Sequence, residues 1–196
     1  TTAAPLKTIQ KALDLAKPGT TIQVAAGTYK ERLTWKTSGT GLASTQMITL
    51  TNVTGASVIL DGSSGGTNGA QQSMINVNNM KFLSIKGLNI KNNIMGSAVG
   101  ILIQGSGNDI TVSGCTISEI GWTSWATGKN TVPSTSTHNA NPLLVKGSSA
   151  SALSNITITG NQIFSCCTGT SEALTVTGNV NGFTVSNNTV RDVTNI

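Results

Sequence analysis

The sequence predicts an all-β solenoid, a right-handed parallel β-helix with a short N-terminal capping α-helix. Three observations predict it. An eight-residue pattern recurs along the chain, twice at an interval of 27 positions. Only 10% of the 196 residues are charged, while Gly, Ser, Thr and Asn crowd every segment. A single stretch near the start carries helical periodicity, and everything after it alternates. Coiled coils and helical bundles need far more charged residues, roughly a quarter or above, and are excluded. The 37% hydrophobic content, spread evenly, argues against disorder. No apolar run approaches the roughly 18 residues of a membrane span.

The helical stretch comes first. Ile9, Ala12, Leu13 and Ala16 fall at the spacing of one helix face. This predicts a capping helix over residues 8–17, with Thr8 as N-cap and Pro18-Gly19 as its stop. Short alternating strands follow, beginning with Thr21-Ile22-Gln23-Val24 and Met47-Ile48-Thr49-Leu50.

Four segments then superpose: Leu83–Ile90, Ile110–Ile117, Ile156–Ile163 and Phe183–Val190. Their last residues lie 27, 46 and 27 positions apart, so the middle interval is one repeat plus 19 inserted residues, placed between Gly121 and Asn141. Another strand precedes each: Ile75–Val77, Ile101–Ile103, Leu143–Val145 and Leu174–Val176. Alternation sends Ile, Val, Leu and Phe to one side and Ser, Thr, Asn or Lys to the other. One such coil cannot bury its apolar side alone, whereas stacked coils build a continuous core. Asn161 and Asn188 share a turn position suited to an amide ladder, which Cys115 and Leu88 interrupt in earlier coils. The helix suits the open N-terminal end of that core. The strand expected after Val193-Thr194-Asn195-Ile196 is not in the sequence, so residues 1–196 read as one domain, the N-terminal part of a longer β-helix that is truncated, nicked or paired with another chain.

Charge and cysteines bound the partners. The net charge of +5 suits an acidic partner, and equally a simple solubility surplus. Without a Lys/Arg run or zinc-ligand spacing, nucleic acid is not expected. Cys115, Cys166 and Cys167 form no disulfide framework or metal site and read as small buried hydrophobes.

The stretch Thr8-Ile9-Gln10-Lys11-Ala12-Leu13, with Pro18-Gly19-Thr20-Thr21-Ile22, Gly27-Thr28-Tyr29 and Glu31, resembles the opening of pectate-lyase-like β-helix proteins of the polysaccharide lyase family nine type. Ser171–Val180 and Asn187–Ile196 agree with it. The resemblance implies a secreted or cell-surface bacterial protein acting on an acidic polysaccharide by β-elimination. It also implies a calcium ion on several aspartates and a basic residue that takes the proton beside the uronate. In that family these groups lie mostly in coils beyond the equivalent of Ile196. The same fold also hosts hydrolases, epimerases and adhesins, so a non-catalytic binding or structural surface β-helix stays open.

Aligning the first strands on Gly105, Gly147 and Gly178 gives one outward column of Asn78, Gln104, Lys146 and Thr177, a polar shelf for sugar hydroxyls and a carboxylate. Asn76, Leu102, Leu144 and Thr175 form its neighbour. Lys146 and Arg191 are the candidate cations for charge neutralisation or proton abstraction, and Glu172 with Asp192 the candidate calcium ligands. In the insert, Trp122 and Trp125 suit stacking on sugar rings, or equally the loop's own small core. His138 reads as a loop residue. A last column, Ser84, Thr111, Thr157 and Thr184, resembles the threonine arrays of ice-binding proteins, though threonine is also a good strand former.

Overall fold

The computed structural model describes residues 4–35, 46–64, 73–131, 138–148 and 150–195. Within them the chain winds through three parallel sheets in strict rotation. Sheet A stacks β1 (Thr21–Val24), β4 (Ile48–Asn52), β7 (Lys81–Lys86), β10 (Gly107–Ser113), β13 (Leu153–Thr159) and β16 (Val180–Ser186). Sheet B stacks β2 (Gly27–Tyr29), β5 (Val58–Asp61), β8 (Asn89–Ile94), β11 (Thr116–Gly121), β14 (Gln162–Gly169) and β17 (Thr189–Asn195). Sheet C stacks β3 (Leu33–Trp35), β6 (Ser73–Asn78), β9 (Ala98–Gly105), β12 (Ala140–Gly147) and β15 (Leu174–Gly178). Each turn of the solenoid contributes one strand to each sheet, which is the right-handed parallel β-helix that the repeats require.

The structure refines the repeat in one respect. Each eight-residue segment holds two strands, because the chain turns a corner inside it and passes from sheet A to sheet B. The corner residues Gly87, Gly114, Gly160 and Asn187 all take positive φ, 54° to 65°. A side chain pays a steric penalty there except for Gly and, less so, Asn, and those two residue types occupy the column. A further column, Asn92, Glu119, Ser165 and Asp192, bends sheet B in the same left-handed conformation in four successive coils.

Inward positions stack like on like. Ile90, Ile117, Ile163 and Val190 are in register in sheet B, and Leu83, Ile110, Ile156 and Phe183 in sheet A. All but the last of each are fully buried. Burying each such side chain contributes about 1.5–3 kcal/mol, so the core is the sum of its columns. The amide ladder forms and is partial, as the sequence predicts. The backbone N–H of Cys115 donates to Asn161 Oδ1 at 2.9 Å, and that of Asn161 to Asn188 Oδ1 at 2.9 Å. The Asn161 amide nitrogen also donates to Asn188 Oδ1 at 2.9 Å and the Val112 carbonyl at 3.1 Å.

The helix α1 (Ile9–Leu15) caps the core with Ile9 and Leu13, and Thr8 Oγ1 accepts from the Lys11 N–H as N-cap. Two other residues fasten it. The Glu31 carboxylate accepts from the N–H groups of Ile9 and Gln10, both at 3.0 Å, satisfying donors that the first turn leaves free. The Gln10 amide bonds both main-chain groups of Thr34, donating to its carbonyl at 2.9 Å and accepting from its N–H at 2.8 Å. A side chain thus stands in for a strand on the outer edge of β3. At the opposite end Phe183, Val185 and Val190 are 55%, 44% and 48% exposed, where the preceding coil's Ile156, Ile158 and Ile163 are buried.

The Asn161→Ala variant strands the buried Cys115 N–H and the ladder's upper half. It is expected to lose about 2–3 kcal/mol of stability, read by denaturant unfolding. The exposed Lys129→Ala should change it by less than about 0.5 kcal/mol.

Candidate functional site

Sheet C presents the shelf in the alignment expected from sequence. Asn78, Gln104, Lys146 and Thr177 are cross-strand partners in one column, as are Thr34, Asn76, Leu102, Leu144 and Thr175 in the next. Asn78, Lys146 and Thr177 are exposed. Gln104 donates from its amide to Asn76 Oδ1 at 3.1 Å, which fixes its side chain across the two columns. The Asn141 amide donates to Thr175 Oγ1 at 3.3 Å and to the Glu172 carbonyl at 3.1 Å. Glu172 is exposed in the turn into β15, and its carboxylate accepts from the Thr175 hydroxyl. The shelf therefore offers amides, hydroxyls and one cation at the roughly 4.8 Å repeat of the strands.

The insert leaves β11 at Gly121 and returns to sheet C at Ala140. A one-turn helix α2 (Trp125–Gly128) starts on Ser124, and the Glu119 carboxylate accepts from the Trp125 N–H at 3.0 Å. Trp122 stacks on the His138 ring, centroids 4.3 Å apart and planes 14° from parallel, so one of its faces is taken. Trp122 and Trp125 are both half-buried. The insert is pinned where it meets Gly169, whose added Cβ would fall 1.6 Å from the His138 carbonyl oxygen. The Thr170 N–H donates to that carbonyl at 3.1 Å, and the Thr170 hydroxyl to Asn139 Oδ1.

The candidate charges fall on different sheets. Arg191 lies outward on sheet B, its guanidinium 4.4 Å over the Phe164 ring and ion-paired to Asp192. Lys146 lies on sheet C and Glu172 in the turn before it. Among the described residues no three His, Cys, Asp or Glu side chains come together as a metal site. Calcium asks for six to eight oxygens, so Glu172 and an ion-paired Asp192 do not by themselves make its cage. Asp61 is held below the usual carboxylate range. Burial alone would raise it, but the Ser63 N–H, the Asn92 amide and Lys30 outweigh that. Burial pushes the thiol of Cys115 up to about 11 and that of Cys166 up to about 12, and raises Cys167 as well. All three are free and buried, which removes them as nucleophiles.

The threonine column on sheet A runs deeper than the repeats alone indicate, through Thr21, Thr49, Ser84, Thr111, Thr157 and Thr184. Ser84 is only 3% exposed and Lys86 stands in the adjacent column, so this is not an open flat array. The sequence reading missed Glu119, Asn139, Gly169 and Phe164. Phe164 alone carried a signal, an aromatic at an outward position beside the inward Ile163.

Three parallel sheets wound in rotation, with a long insert between β11 and β12, define a class, the right-handed parallel β-helix. Within it the chain belongs to the Pel9A-like, right-handed β-helix region family, whose model matches residues 1–189. It is also 30% identical over 196 residues to the uncharacterized protein YwoF of Bacillus subtilis (strain 168). That match takes in 98% of this chain, which spans 38% of the relative's length. No solved structure matches.

Two outcomes are expected from this site. Gly169→Ala should release the insert, shifting tryptophan emission to the red while far-ultraviolet circular dichroism stays that of the β-helix. With thiol pKa values raised by burial, the thiolate is scarce below pH 9. A thiol reagent at pH 8 should therefore titrate none of the three cysteines until denaturant is added.

Proposed function

We propose that this chain is part of a carbohydrate-active β-helix that acts on an acidic polysaccharide by pectate-lyase-like β-elimination on uronic-acid chains. The observation that supports it is the sheet C shelf, where exposed Lys146 stands in line with Asn78, Gln104 and Thr177. A uronate chain lying along the shelf meets hydroxyl and amide partners, with a cation for one carboxylate. In the elimination a base removes the proton on the carbon beside the carboxylate. The electron pair then forms a carbon–carbon double bond as the glycosidic oxygen leaves and takes up a proton. An exposed ammonium suits holding a carboxylate, whereas proton abstraction asks for a desolvated amine. Lys146 is therefore assigned to binding, and Arg191, spoken for by Asp192, to neither step. Trp125 and the free face of Trp122 are read as stacking surfaces for sugar rings on the insert. The reading carries with it a secreted or cell-surface location, further coils stacked beyond Phe183, Val185 and Val190, and a calcium requirement met by residues other than the scattered carboxylates described above.

A non-catalytic carbohydrate-binding or structural surface β-helix is the second reading, favoured by the dispersal of those carboxylates. Incubation with polygalacturonate and calcium separates the two. Elimination generates unsaturated uronate absorbance that chelator abolishes. Binding without absorbance supports a carbohydrate-binding role, and neither binding nor absorbance with any uronate polymer removes the lyase and the uronate-binding readings and leaves the structural one. Lys146→Ala is expected to weaken polygalacturonate binding about 3–10-fold, with the difference shrinking as salt rises.

A further inference from the structure

We propose that the outer edge of β1 is a docking site for an extended polypeptide strand. The site lies on the sheet A side of the N-terminal end, away from the sheet C shelf, and is independent of the carbohydrate reading.

The edge is exposed by the arithmetic of the ladder. The carbonyls of Thr20 and Val24 accept from the N–H groups of Thr49 and Val53, so the even-numbered residues of β1 face β4. Alternation turns the N–H and C=O of Thr21 and Gln23 the other way. Among the described residues β1 pairs with β4 alone, and β1 is the terminal strand of its sheet. Sheet C's first edge is treated differently, because Gln10 saturates Thr34 on β3. The capping device that closes one sheet leaves its neighbour open.

The open edge is the floor of a groove of about 820 Å³ between β1 and the segment leading into α1. Its walls are apolar and wet. Leu6, Leu15 and Val53 line it and are 50%, 55% and 41% exposed. Ala12 and Ala16 keep the α1 wall low enough for another side chain to lie over it.

These two features together select the occupant. Main-chain donors and acceptors spaced two residues apart, about 6.6 Å, match the complementary groups of an extended chain. A lipid tail would bury them unsatisfied. A sugar chain has no such alternation and gains little from Leu6, Leu15 and Val53. A strand laid there would continue both columns of sheet A. Its apolar residues would pack over Ala12 and Leu15, and its alternate residues, Thr, Ser or Gln, would extend the line of Thr21 and Gln23. The recognised chemistry is therefore a short polypeptide segment alternating apolar and small polar residues.

The probe is a capped synthetic peptide copying Leu153–Thr159, a strand of the same sheet that alternates in this way from Ile156 to Thr159. Hydrogen exchange of the Thr21 and Gln23 amides is followed by NMR as peptide is added. Both amides are expected to exchange rapidly alone and at least tenfold more slowly at saturation. Gln23→Pro removes a donor that faces away from β4, and Leu15→Asp places a charge in the groove from an exposed position. Each should abolish the protection while the melting temperature stays within a few degrees, and Leu15→Asp serves if Gln23→Pro does not fold. Unchanged exchange at millimolar peptide overturns the proposal. So does protection that survives Leu15→Asp, that dodecyl detergent or oligogalacturonate produces equally well, or that rises with protein concentration alone, which assigns the edge to a second copy.

Discussion

The constraint on which the structure depends is vertical register. In a parallel solenoid each inward side chain rests on the same position of the coil below, about 4.8 Å away. Ile117 must sit on Ile90 and beneath Ile163, and a slip by one residue would turn every Ile and Val outward. The corners, the ladder and the cap all serve that register. Left-handed residues recur at the same place in successive coils, so each coil bends where its neighbour bends. Asn161 then bonds the coils on both sides of it, which ties the register to a buried polar contact as well as to packing.

Register also makes the surface. Outward residues inherit the stacking of inward ones, so the shelf of sheet C and the threonine column of sheet A are by-products of the core's own order. Such rows repeat along the axis without specifying any chemistry, so the fold alone does not name a function. Specific chemistry has to come from departures from regularity. Here one departure is the insert between β11 and β12, whose described residues are held by Gly169, Thr170 and Glu119. Within it the Trp122 and His138 rings stack on each other.

The ends obey a different rule from the middle. A middle coil is covered on both sides, and an end coil must borrow its cover. At the N-terminal end α1 shields the core, Glu31 holds the helix, and Gln10 occupies one strand edge. The cover is partial, since a helix can lie across three sheets but cannot pair with all of them. The groove beside β1 is what remains.

By itself the sequence determined the coil, its 27-residue repeat, the insert, the helix with its Thr8 cap and the membership of both sheet C columns. Period-two alternation and a fixed repeat are linear properties, and Gly105, Gly147 and Gly178 mark the frame unaided. The corner inside each repeat was not legible as a third sheet, because Gly and Asn there signal a turn without saying which face follows. Nor was the company each charged residue keeps. Arg191 is engaged by Asp192 and Phe164, Glu119 by the Trp125 N–H, and Lys146 stands exposed. Those differences depend on side-chain direction and on neighbours as far as one coil away, such as Phe164 beneath Arg191, and only the tertiary structure decided them.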